Sequence, residues 1–222
     1  MLRKLLTLCS IVLLGSAVAA RADVIYDLTV DGCSGTCGVP TGLGAGVFAT
    51  VDLMQSGANV VVTETLATGD VYAVGGAGNA LEFNITSDPN TNPITITGIT
   101  SGFGVGPTAA KASSFGTFDY SVACTLCGNG TSPPTYSGPL TFTVHNVTIA
   151  DFNVLSDKDY YFASDIGGLL ANGNFSTGNV GGNTAPVTVT PEPSSLLLMG
   201  TGILGAAGLF YRRLGRGEVK DK

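Results

Sequence analysis

Tryptophan is absent from this 222-residue chain, histidine occurs once, at His145, and charged residues make up only 12% of it. The scarcity is uneven. Of ten Lys and Arg, only Lys111 and Lys158 lie between Asp23 and Thr190, against 13 Asp and Glu, so this stretch carries a formal charge of −11. A body this acidic repels phosphate backbones, which excludes nucleic acid as a partner. A single histidine excludes histidine metal clusters. His145 ends the run Leu140–His145 on its polar side, and no Gly-x-Ser-x-Gly elbow accompanies it, so nucleophilic hydrolysis has no signature. No cofactor and no catalytic residue are expected.

Few stretches favour long helices. What recurs is alternation, as in Val24-x-Tyr26-x-Leu28-x-Val30, Val60–Leu66, Leu81–Ile85, Ile94–Thr97, Phe115–Val122 and Leu140–His145. Short β-branched or aromatic runs bounded by Gly, Pro, Asn and Asp are strands separated by turns. About eight to ten such strands are expected. Their near-regular spacing predicts a mainly β domain, an antiparallel β-sandwich or jelly-roll-like ectodomain. Gly75–Asn79 and Asn172–Asn183 read as loops or a fraying edge. The ectodomain is placed at residues 23–182, followed over 183–190 by a Thr/Pro spacer that lifts it off the membrane.

Four cysteines belong to this body, as Cys33-x-x-x-Cys37 and Cys124-x-x-Cys127. In an exported chain the default is two disulfides, with three connectivities open. A four-thiolate zinc site and a redox role for Cys124/Cys127 are the alternatives. Asp157, Asp159 and Asp165 surround Lys158 and the aromatic run Tyr160-Tyr161-Phe162. They read as a solvated acidic turn, with calcium ligation or paired catalytic carboxylates as sharper readings. Tyr160 and Tyr161, with Tyr136, are candidates for stacking on a sugar, against the plainer reading as core and hairpin-facing residues. Four Asn-x-Ser/Thr sequons, at Asn84, Asn129, Asn146 and Asn174, are matches that arise by chance in an Asn- and Thr-rich chain.

The two ends hold nearly all the positive charge. Met1-Leu2-Arg3-Lys4, the apolar run Leu5–Val18 and Ala20-Arg21-Ala22 have the order of a secretory signal peptide over residues 1–22, cleaved after Ala22. Ser194–Tyr211 is uncharged and, as a helix, spans about 27 Å of hydrocarbon, which predicts one transmembrane helix. Arg212, Arg213 and Arg216 follow it, so the positive-inside tendency puts residues 212–222 in the cytoplasm and the body outside. Before the helix stands Pro191-Glu192-Pro193. Motif, apolar helix and arginine cluster, in that order over residues 191–222, resemble the PEP-CTERM sorting signal.

That resemblance implies recognition by an exosortase, an integral-membrane protease or transpeptidase. It would act near Pro191, Glu192 and Pro193 and pass the ectodomain from the inner membrane to the cell surface or extracellular matrix. The expected function is a non-enzymatic surface or exopolysaccharide- and biofilm-associated protein, with extracellular polysaccharide as a further partner. A carbohydrate- or calcium-binding adhesion module and a secreted glycan hydrolase are the competing readings.

Overall fold

The computed structural model of the chain describes residues 23–33, 37–38, 40–72, 79–86, 93–128, 135–170 and 175–189, together with Thr201, Gly202 and Gly205 in helical conformation. The predicted signal peptide, the sorting motif and most of the predicted transmembrane helix lie outside the described residues. Among those described, no helix is long and apolar enough to cross a membrane. Residues 23–189 form one compact unit.

That unit is mainly β and antiparallel. The strands are β1 (Asp23–Leu28), β2 (Val30–Asp31), β3 (Ala49–Ser56), β4 (Asn59–Leu66), β5 (Val71–Tyr72), β6 (Leu81–Phe83) and β7 (Ile96–Thr97). They continue with β8 (Phe103–Val105), β9 (Ala110–Ala112), β10 (Gly116–Phe118), β11 (Tyr120–Cys124) and β12 (Leu140–His145). After a 3-10 turn at Ile149–Phe152 come β13 (Phe162–Leu169), β14 (Phe175–Gly182) and β15 (Val187–Val189). One sheet runs β15-β1-β3-β4-β12-β7, and the other β2-β14-β13-β6-β11-β8 with β5 also on β13.

Period-2 alternation builds the first sheet. Val24, Tyr26 and Leu28 on β1, Val51 and Leu53 on β3, Val60 and Val62 on β4, and Leu140, Phe142 and Val144 on β12 all face inward and are buried. The β3–β4 hairpin is closed by Gly57-Ala58, with Ser56 opposite Asn59 and Gly57 at φ 63°. Glycine adopts that value without steric cost at the first position of a tight hairpin turn. The second sheet adds Leu81, Phe83, Tyr120, Val122, Phe162, Ile166 and Val180 to the same core. Phe83 stands at its centre, stacked on Tyr120 (5.9 Å), Phe142 (5.8 Å) and Phe152 (5.6 Å). Because Phe142 belongs to the opposite sheet, these rings tie the two layers together.

The outer face of the second sheet carries a smaller apolar cluster. The β9–β10 hairpin lays Ala112, Phe115 and Phe118 against Ala163 of β13, with Tyr160 edge-on to Phe115 at 4.7 Å.

Two expectations are corrected here. Residues 172–183, read as a loop or fraying edge, contain β14, which pairs with β13 along eight consecutive positions. Its glycines are places of close approach rather than looseness. A Cβ at Gly181 would meet Phe115 Cδ1 at 2.5 Å, and one at Gly178 would meet the Cys33 Cα at 2.8 Å. On β13 a Cβ at Gly168 would run into the Cys37 carbonyl. The segment 183–190 also contains β15, whose residues pair with the start of β1, so the compact unit runs through Val189 rather than ending at 182. Val187-Thr188-Val189 is a β-branched run, and it finds an open sheet edge to pair with.

Candidate functional site

The two ends of the domain meet on one strand pair. Asp23 pairs with Val189, Val24 with Thr188 and Ile25 with Val187. Asp23, the residue after the predicted signal cleavage, therefore lies opposite the last described residue before the sorting motif. On its other side β1 pairs with β3 along its whole length, from Asp23 with Met54 to Leu28 with Ala49. The Asp52 carboxyl on β3 is raised above its ordinary value by burial and then by the neighbouring Asp23 charge.

The cysteines form two local disulfides, Cys33–Cys37 and Cys124–Cys127, which engages all four thiols and leaves none for a zinc tetrahedron. The first closes a small loop around Asp31, whose carboxylate accepts from the backbone N–H of Cys33 (2.9 Å) and of Cys37 (3.0 Å). It is seated on β13 and β14 at the glycines named above. The second begins on Cys124, the last residue of β11.

The acidic residues before and within β13 separate in space. Asp157 and Asp159 are exposed in the turn that precedes the strand, and Asp159 adopts φ 65°. The Asp157 carboxylate accepts from the Thr117 backbone N–H at 2.6 Å, which ties the turn to β10. Asp165 is fully buried in β13, opposite Asn179, and its backbone N–H donates to the Asn79 carbonyl at 3.0 Å.

The neighbouring tyrosines likewise diverge. Tyr160 packs edge-on to Phe115 in the small outer cluster, whereas Tyr161 lies 5.2 Å from the Tyr26 ring at the main core. Tyr136 packs on Phe103 at 5.5 Å. The three rings therefore form no common platform.

His145 places its Nε2 2.6 Å from the Thr97 hydroxyl on the neighbouring strand β7. A small polar cleft of about 200 Å³ is lined by Thr86, Asn146, Val147 and Asp151. Asp151 is already engaged there: Oδ1 accepts from the Thr86 hydroxyl (2.6 Å), and Oδ2 accepts from the Thr148 N–H (2.7 Å) and hydroxyl (2.9 Å). These bonds hold the Asp151 carboxyl below its ordinary value and cap the 3-10 turn. Of the sequon asparagines, Asn84 is buried and accepts from the Asp119 N–H at 2.7 Å.

Sequence reasoning passed over the buried carboxyls. Glu64 sits fully buried on β4, and its Oε2 accepts from the Tyr72 hydroxyl at 3.2 Å. Burial pushes it up to about 8, with Ser164 and Tyr72 offsetting part of the rise. The Ser164 proton is already given to the Ala80 carbonyl at 2.6 Å, and Glu64 Oε1 makes no hydrogen bond, so the neutral acid suits this site. Glu82 is raised to about 7 by burial, offset by the Asn79 amide that donates to it at 2.7 Å. Asp70 is likewise raised to about 7 by burial. The signal for Glu64 was its parity: it shares the inward alignment of Val60, Val62 and Leu66.

Comparison with curated proteins and with solved structures gives no match. The model of the PEP-CTERM protein-sorting motif matches residues 189–213. The match starts on the last residue of β15 and covers Pro191-Glu192-Pro193, the apolar run and the first two arginines. The C-terminal tail of the chain is therefore a PEP-CTERM protein-sorting motif.

Proposed function

We propose that this is a non-enzymatic surface or extracellular-matrix protein, a β-sandwich ectodomain delivered through its C-terminal sorting motif. The observation that carries the reading is the motif match at residues 189–213, placed directly after a compact acidic domain. An exosortase acting near Pro191-Glu192-Pro193 separates that domain from the apolar segment, which until then holds it at the inner membrane through one helix.

The body suits such a destination. Its charge of −11 keeps it soluble and away from anionic surfaces. Its two disulfides suit an oxidising compartment. Several of its described titratable side chains serve the structure: Asp151 caps a turn, Asp157 fastens a hairpin, and the glutamates Glu64 and Glu82 lie inside the fold. A role within exopolysaccharide or biofilm matrix follows from the destination, with extracellular polysaccharide as the surrounding partner.

The test compares producing cells with and without exosortase activity. With it, a shortened chain is expected in the surface or matrix fraction; without it, the full-length chain should stay in the membrane fraction. The same length and location in both would overturn the proposal.

A further inference from the structure

β15 is held weakly and at the most consequential place in the chain. It is an edge strand joined to β1 by three residue pairs. Val187 is 61% exposed and Thr188 is exposed, so they add little buried apolar area to the backbone pairing. Pro186 and Pro191 flank it. Neither has an N–H to give to a ladder, so the pairing has little room to lengthen. β1, by contrast, is fixed by six pairs to β3 on its other side.

The sorting-motif match begins on Val189, inside this strand. With β15 paired, Pro191 lies two residues from the sheet, a reach of about 7 Å. Proteases commonly engage substrates as extended strands over several residues, through main-chain hydrogen bonds. A tether shorter than the roughly 10 Å between packed sheets gives a cleft little room for that. With β15 detached, the tether starts after Gly182, where β14 ends. It then reaches about 30 Å.

We propose that β15 is a releasable strap, and that exosortase processing requires its detachment from β1. This rests on the reading of Pro191-Glu192-Pro193 as the processing site and adds how access to it is governed.

The experiment follows processing of the full chain by pulse-chase in producing cells. Ile25→Cys with Val187→Cys joins two directly paired residues, one half-buried and one exposed, at a separation a disulfide can span. The cross-linked chain should be processed about tenfold more slowly than wild type or either single-cysteine variant, because its competent fraction falls. Inserting a flexible Gly/Ser segment of about ten residues after Val189 should restore the rate while the cross-link persists. Val187→Gly with Thr188→Gly, which loosens the strand without touching the core, should speed processing. A cross-linked chain processed at the wild-type rate would overturn the strap, as would an unchanged rate in the diglycine variant if the cross-link does not form. Alanine at all three positions of Pro191-Glu192-Pro193 separates the two claims. If it leaves processing intact, the motif reading fails; if it abolishes processing while the strap variants change nothing, only the strap fails.

Discussion

Phe83→Ala is expected to destabilise the protein by about 3–5 kcal/mol, the range for removing a large buried aromatic without refilling the space. Phe83 is fully buried at the junction of the two sheets, and its ring touches rings from β11, β12, β13 and the 3-10 turn. The surrounding strands are hydrogen-bonded on both sides and have little freedom to collapse into the gap. For a chain of this size the loss corresponds to a fall in Tm of about 10 °C, measurable by circular dichroism. Tyr160→Ala removes a ring that is only half-buried, in the smaller outer cluster, and should cost less. A loss from Phe83→Ala of under about 1 kcal/mol would mean that the two sheets do not share this core.

Stability is expected to fall as the pH rises from about 4.5 to about 8. Native Glu64 keeps its proton up to about 8, whereas in the unfolded chain it releases it near the ordinary value of 4.5. Below 4.5 both states are protonated, and the contribution of this group is fully present. Between the two values the native state holds a proton that the unfolded state has lost, so each step upward favours unfolding. Above about 8 the contribution is gone. One pKa unit is worth about 1.4 kcal/mol, so a rise of this size amounts to several kcal/mol. Glu82 and Asp70, each raised to about 7, act in the same direction over a narrower window. The groups facing Glu64 are Tyr72 of β5, itself raised well above its ordinary value, first by burial and then by Glu64, and uncharged Ser164 of β13.

Thermal unfolding should show a Tm about 10 °C lower at about pH 9 than at about pH 5. Glu64→Gln preserves the side-chain shape without a proton to lose, and should remove the share of that dependence that Glu64 supplies, leaving the part due to Glu82 and Asp70. A Tm that is level or rising across this range would contradict the buried acid.

How far the sequence carried the fold depended on which physical signal each element used. β1, β4 and β12 were legible because one face of each is apolar at period 2 and that face is the one buried. The runs Ile94–Thr97 and Phe115–Val122 were legible only in part. The first contributes the two-residue strand Ile96–Thr97, and the second divides at Asp119 between a surface hairpin and the second sheet. β14 was hidden because three of its eight residues are glycine and only Phe175 and Val180 are large and apolar, so it shows no hydrophobic alternation. Its reason for being glycine, the ring of Phe115 and the loop at Cys33, comes from distant parts of the chain.

The candidate site divides in the same way. The sorting motif could be read directly, since it is a contiguous address. The pairing of β15 with β1 could not, because it joins Asp23 to Val189 across nearly the whole domain. The carboxylates Asp157, Asp159 and Asp165 are close in sequence but are parted by a turn and the start of a strand, which puts two outside and one inside. Glu64 shows the converse, a residue whose polar identity masked a core position that parity had already marked.

If the tail is handled as proposed, the mature chain ends near Pro191-Glu192-Pro193. Intact-mass measurement of the protein from producing cells, wild type beside a variant with alanine at all three positions, distinguishes the processed chain from the full-length one. A wild-type mass corresponding to a chain that starts at Asp23 and ends close to residues 191–193, beside an alanine variant that keeps its tail through Lys222, is the predicted result. Equal masses retaining the whole tail in both proteins would contradict it.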